Sequence, residues 1–197
     1  MDRERSDPIP VVGPSVGVDL GLTSFAVLSD GTALKSPRSL ERSLRRLRRL
    51  SQAHSRKQKG SQNRHKSALL LARLHRRIRN QRRDFLHKAT TELAKTKSVI
   101  VIEDLNVRGM IRNRHLARHI ADAGWSEFRR MLCYKTLWYG STLVVAPRFF
   151  ASSKTCSACG AKKDDLDLSE RVYRCQGCGH VMDRDLNAAR NLAALAL

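Results

Sequence analysis

Two sets of residues in this 197-residue chain have the types and spacing to do chemistry. The first is cysteine. Cys156-Ser157-Ala158-Cys159 and Cys175-Gln176-Gly177-Cys178 are two C-x-x-C pairs with fifteen residues between them, and each is followed by a glycine, Gly160 and Gly179. Thiolates at that spacing close a tetrahedral four-sulfur site, so Cys156, Cys159, Cys175 and Cys178 are expected to hold a structural Zn2+. Four protein ligands leave no open position, so this metal is not catalytic. The second set is acidic. Asp19 interrupts Val16-Gly17-Val18-Asp19-Leu20-Gly21, Glu103 ends the run Ser98-Val99-Ile100-Val101-Ile102, and Asp185 lies in Asp183-Arg184-Asp185-Leu186-Asn187. An acid in an apolar β-branched run must be desolvated unless it is paired or binds a metal. Taken alone, Asp19 reads equally well as a turn or edge residue, and Asp183 as a helix cap.

The elements that must position these residues follow from the apolar pattern. Residues 1–15 carry three prolines and no period, and read as a disordered leader. Val16 to Leu28 reads as a β-hairpin with a possible third strand at Thr32-Ala33-Leu34. From Ser39 to about Thr96 the spacing turns helical, with Leu40, Leu44, Leu47 and Leu50, then a break at Lys59-Gly60-Ser61, then Leu71, Leu74, Ile78, Phe85, Ala89 and Leu93. The run ending at Glu103 has the pattern of a strand buried on both faces. Phe128, Met131, Leu132 and Leu137 predict a helix capped by Ser126, with Cys133 packed as a small residue. Leu143-Val144-Val145 predicts a short strand, and residues 186–195 a closing helix. Three strands, helix, strand, helix, strand, helix is the order of a ribonuclease H-like α/β fold, in which the three acids would meet. The expected organisation is a core over 16–150 containing a helical hairpin at about 39–96, a zinc ribbon over 151–182, and the last acid with the closing helix over 183–197.

Charge narrows the partner. A net charge of +20 favours a polyanion, nucleic acid before membrane. No run of eighteen apolar residues and no secretory signal is visible, which fits a cytoplasmic, nucleoid-associated protein. Between Arg38 and Lys88 there are 18 Lys or Arg against two acids, Glu41 and Asp84, too one-sided for salt-bridge lacing. Arg45, Arg46, Arg49, Lys57, Arg64, Arg76, Arg79 and Arg83 are the candidate contacts. Without interleaved aromatics they suit phosphates better than bases.

Several motifs in sequence order carry a resemblance: Gly17-Val18-Asp19-Leu20-Gly21, Asn80-Gln81-Arg82-Arg83-Asp84-Phe85, Val101-Ile102-Glu103-Asp104-Leu105-Asn106, Ser152-Ser153-Lys154-Thr155-Cys156, and Asp183 to Asn191. From Gly17 to Asn191 the chain resembles the C-terminal half of transposon-encoded TnpB (OrfB) proteins, RNA-guided nucleases similar to type V CRISPR effectors. The resemblance implies a RuvC nuclease domain with Asp19, Glu103 and Asp185 as catalytic acids. Asp185 is preferred to Asp183 because in the family the acid directly precedes x-Asn-Ala-Ala. Family members carry a β-barrel wedge and a helical recognition part before the first catalytic strand, where this chain has fifteen residues. It is therefore expected to be a truncated form without the guide-recognition region.

Carboxylates suit hard cations, so the three acids would hold Mg2+ for two-metal phosphodiester hydrolysis. The expectation is a Mg2+-dependent endodeoxyribonuclease core associated with transposition, acting on DNA and binding RNA. The alternative is a non-catalytic, zinc-ribbon nucleic-acid-binding remnant of a transposase-associated protein.

Overall fold

The structure is a computed structural model that describes residues 8–163, 165–167 and 169–196. Strands β1 (Val16–Leu20), β2 (Ala26–Leu28) and β3 (Ala33–Leu34) form an antiparallel meander, closed at its second turn by Gly31 at φ 90°. Strand β4 (Val99–Ile102) pairs parallel with β1, and β5 (Thr142–Val145) pairs parallel with β4. The resulting mixed sheet has the order β3-β2-β1-β4-β5. Val and Ile fill β4 because it is buried on both faces in the middle of the sheet, whereas the edge strand β5 is only half-buried.

Helix α1 (Ser39–Ser55) and the 35-residue α2 (Gln62–Thr96) separate β3 from β4. Their turn contains Gly60 at φ 80° and ends with Ser61, whose hydroxyl caps α2 by accepting from Arg64 N at 3.2 Å. Helices α3 (Val107–Met110), α4 (Ala117–Ala123) and α5 (Trp125–Tyr139) lie between β4 and β5, and α6 (Arg184–Ala193) follows a small antiparallel sheet of β6 (Val172–Arg174) and β7 (Val181–Asp183).

Strand alternation sends side chains to two different layers. Val16, Val18, Ile100 and Ile102 face α2 and α5, where they pack with Leu86, Leu93, Phe128, Met131 and Leu132. Phe25 sits in this layer, its ring edge-on to Phe85 at 5.0 Å and Phe128 at 5.1 Å. Val101 faces the opposite side and packs with Leu192 of α6 and Ala146. Gly17 shares that side, and a Cβ there would overlap the carbonyl of Ala189 and the amide of Ala193. Glycine at this position is what lets α6 lie directly on β1.

Some local expectations are corrected. Residues 8–15 of the expected leader are not loose: Val11 N donates to Gly140 O at 2.9 Å, and Gly13 lies against the Thr96 carbonyl. Residues 1–7 lie outside the described residues. Helix α5 starts at Trp125, because Gly124 in the left-handed region (φ 76°) ends α4 and turns directly into α5, so Ser126 is not its cap. The inward face of α5 is Phe128, Met131, Leu132, Lys135 and Thr136, which leaves Cys133, Leu137 and Trp138 exposed. Lys135 is tolerated inside because its Nζ donates to His87 O (2.7 Å), Thr90 Oγ1 (2.8 Å) and Thr91 Oγ1 (2.7 Å) of α2. Among the described residues no helix is long and apolar enough to cross a membrane.

Candidate functional site

The acids gather through strand register. Val18 and Ile102 are partners on the parallel strands β1 and β4, so the next residue on each, Asp19 and Glu103, stand side by side at one end of the sheet. By alternation both belong to the face that carries Gly17 and Val101, the α6 face. Asp185 comes from the first turn of α6. The three carboxyls line one cavity of about 400 Å3, shared with Leu20, Thr23, Ser153, Arg171 and Arg184. Asp183 does not line it. Its carboxylate caps α6 by accepting from Asp185 N (3.0 Å) and Leu186 N (2.9 Å).

The site is electrostatically unbalanced. Burial, with Glu103 and Asp185 adding to it, pushes Asp19 up from 3.8 to about 8. Burial also pushes Glu103 up, opposed by the Ser152 hydroxyl, which donates to Glu103 Oε1 at 2.5 Å. Arg184 donates from Nη2 to Asp185 Oδ1 at 3.2 Å. Half-buried acids that repel one another suit a hard divalent cation, which relieves repulsion and desolvation together. Ser152, Arg171 and Arg184 also belong to this site. Ser152 carried only a motif signal, and nothing in local sequence tells which arginine turns into a cleft.

The cysteine knuckles have metal geometry. The four Sγ atoms lie within 4.8 Å of one another. Cys156 and Cys178 are 3.8 Å apart, and Cys159 and Cys175 are 3.6 Å apart. Sulfurs ~2.3 Å from a central Zn2+ form a tetrahedron with edges of about 3.8 Å, so the set fits this ion. Backbone amides, that of Cys178 first, point at Cys175 and hold its thiol down, while Cys178, despite the His180 amide, is pushed up by the neighbouring sulfurs of Cys159 and Cys175. Among the described residues this is the only cluster of His, Cys, Asp or Glu whose ligand atoms lie this close; the oxygens of Asp19, Glu103 and Asp185 line one cleft but are set wider apart.

The eight basic candidates occupy different environments. Arg45, Arg46, Arg49, Arg76, Arg79 and Arg83 are exposed, Arg45, Arg46 and Arg49 on α1 and the other three on α2. Arg79 and Arg83 also line an open groove of about 710 Å3 with Arg82, Trp125 and Arg130. Lys57 lies half-buried in the turn. Arg64 is turned inward, donating from Nη1 to His54 O (3.2 Å) and Lys57 O (3.0 Å), so its guanidinium closes the end of α1.

Fold and site together define a Cas12f-like α/β protein with a four-cysteine knuckle. The chain is similar, at TM-score 0.67 and 22% identity, to the protein in "Cryo-EM structure of CRISPR-Cas12f Ternary Complex", covering 98% of this chain and 40% of that one. It is also similar, at TM-score 0.64 and 19% identity, to that in "Cryo-EM structure of the Cas12f1-sgRNA-target DNA complex", covering 96% and 52%. Residues 1–114 match the family OrfB_IS605, described as "Probable transposase", and residues 125–192 match the Cas12f1-like TNB domain. The chain belongs to the OrfB_IS605 family, the TnpB-like proteins. It is 47% identical over 190 residues to a "Putative RNA-guided DNA endonuclease" of Streptomyces pristinaespiralis, covering 96% of this chain and 47% of that protein. InsQ of Escherichia coli K12, named in the same words, is 38% identical over 208 residues, covering 98% and 52%. The chain thus spans about half the length of these relatives.

Proposed function

We propose that this chain is a metal-dependent DNA endonuclease core with a ribonuclease H-like, RuvC-type site, working within a TnpB-like RNA-guided system. The observation that carries this reading is the adjacency of Asp19 and Glu103 through parallel register beneath the helix that bears Asp185. Asp19, Glu103 and Asp185 would hold Mg2+ or Mn2+. When bound, such ions supply Lewis acidity at a phosphoryl group and activate water.

The chain's own residues do the rest. The exposed arginines of α1 and α2 attract a phosphate backbone without reading sequence. Arg171 lines the acid cleft and offers a donor to a phosphate, while Arg184 balances Asp185. Ser152 orients the Glu103 carboxylate by donating to one of its oxygens. Cys156, Cys159, Cys175 and Cys178 would hold Zn2+ in a structural role. Sequence choice is supplied by guide pairing, since the basic hairpin has no means of reading bases. The names of the relatives and the complexes of the Cas12f neighbours support RNA and DNA as partners. The setting is the bacterial cytoplasm.

The test is cleavage of short DNA substrates by the full chain, alone and with RNA transcribed from its own locus, in Mg2+ or Mn2+. Cleavage that EDTA abolishes and that Asp19→Ala lacks is expected. Cleavage that persists in Asp19→Ala would overturn the reading.

A further inference from the structure

The cysteine knuckle and the acid cleft meet through two asparagines of α6, Asn187 and Asn191, both buried. Asn187 Oδ1 accepts from Ser157 N at 2.9 Å, inside the first C-x-x-C pair, and its Nδ2 donates to Thr155 O at 2.7 Å. Asn191 Nδ2 donates to Thr155 O at 2.6 Å and to Ser152 O at 2.7 Å. Ser152 in turn holds Glu103 through its hydroxyl. At the other end of the knuckle, β7 runs directly into the Asp183 cap and the first turn of α6, where Asp185 sits. Two of the three acids therefore depend on a segment whose path is fixed at Cys156.

We propose that Asn187 and Asn191 are positioning residues that join the metal knuckle to the acid cleft, so that zinc at the cysteines and a divalent cation at the acids strengthen each other. The amides suit this role because each side-chain donor faces a buried carbonyl of the knuckle's leading segment. Replacing one by carboxylate keeps size and shape but sets lone pairs against that carbonyl. Coupling between two binding sites is reciprocal: whatever ordering zinc gives to Glu103 and Asp185, a cation at those acids returns to the knuckle. The second half of the proposal rests on the divalent-cation reading of the cleft. The first half does not.

The experiment uses the full chain in zinc-loaded and zinc-stripped forms, with zinc content measured in each sample. Amide hydrogen exchange is followed by mass spectrometry, and Mn2+ binding by electron paramagnetic resonance. Stripping zinc is expected to speed exchange at least tenfold in residues 185–192 and 103–105, with β1 and β2 unchanged as internal reference. Asn191→Asp and Asn187→Asp are expected to do the same with one zinc still bound, and both changes should weaken Mn2+ binding at least tenfold. Exchange changes confined to 152–183, loss of protection throughout the chain, or Mn2+ binding within twofold of wild type would each overturn the coupling. Mn2+ binding in wild type that Asp19→Asn leaves unaltered would overturn the cation reading instead, and with it the second half. The exchange pattern would still decide the role of the asparagines.

Discussion

Asp19 and Glu103 stand next to each other because Val18 and Ile102 are register partners on parallel strands. In parallel pairing the neighbours one step on share a face as well as a level, so two acids at matching strand ends point into one cleft. A slip of one residue between β1 and β4 would turn one of them to the opposite layer, among Phe128 and Met131. On the proposed function, the register is a functional constraint as much as a packing one.

Removal of any one acid is expected to abolish cleavage. Asp19→Ala, Glu103→Ala and Asp185→Ala should each lower kcat by at least ~100-fold, since each removes a carboxylate from the proposed cation site. Asp183→Ala should retain activity and lose about 1 kcal/mol of stability, the ordinary value of a helix N-cap. Plasmid nicking assays beside urea denaturation separate these outcomes, and loss of cleavage in Asp183→Ala alone would exchange the two roles.

Asp19 gives the metal-free chain a distinctive pH dependence. Its carboxyl stands at about 8 in the folded chain against an ordinary value of 3.8. The folded state therefore binds the proton more tightly. This contribution to stability is complete below about pH 4 and is lost as the pH rises towards 8. Asp19→Asn should remove that dependence and stabilise the EDTA-treated protein at pH 8.5, by on the order of 1–3 kcal/mol. Thermal melts across pH 5 to 9, with and without 10-fold graded Mg2+, provide the check, and Mg2+ should offset the loss in wild type only.

Gly17→Ala is expected to be among the costliest single-methyl changes in the chain. The new Cβ would meet backbone atoms of Ala189 and Ala193, which cannot rotate away, so α6 must lift from β1. A loss of roughly 2–4 kcal/mol follows from such overpacking. Far-ultraviolet denaturation curves report it directly, and a change below 0.5 kcal/mol would show that α6 shifts freely.

One Zn2+ per chain is expected by elemental analysis, and Cys175→Ser should lose it. Among the described residues, the buried cluster at the knuckle joins Cys156 and Cys175 only to Tyr173 and the half-buried Leu166, a core too small to fold unaided. Residues around β6 and β7 should become protease-sensitive in that variant while β1, β4 and α2 stay protected.

Phosphate contact by the hairpin should appear in the salt dependence of binding. Arg45→Ala or Arg76→Ala should each reduce the slope of log K against log salt by ~1, whereas Arg64→Ala should instead lower stability, because its guanidinium holds the α1 carboxyl end. Fluorescence anisotropy with labelled DNA at graded salt distinguishes the two effects.

The residues themselves determine the knuckle cysteines, the strand runs around Asp19 and Glu103, the helical stretches and the surplus of positive charge, because C-x-x-C spacing, β-branched runs and helical periodicity are local signals. What only the tertiary structure decided is which local features face one another. Asp183 and Asp185 are two residues apart and chemically alike, yet one caps a helix and the other enters the cleft, a division set by where β7 meets α6. Ser152, Asn187 and Asn191 are ordinary polar residues in sequence. They become a connected network because the knuckle folds back against α6 across separations of 30 residues or more. The start of α5 and the exposure of Cys133 escaped local reading for the same reason. Gly124 in a left-handed turn sets the phase of the helix, and the phase sets which side chains meet α2. Periodicity names the elements, and register and close backbone approach decide what they bring together.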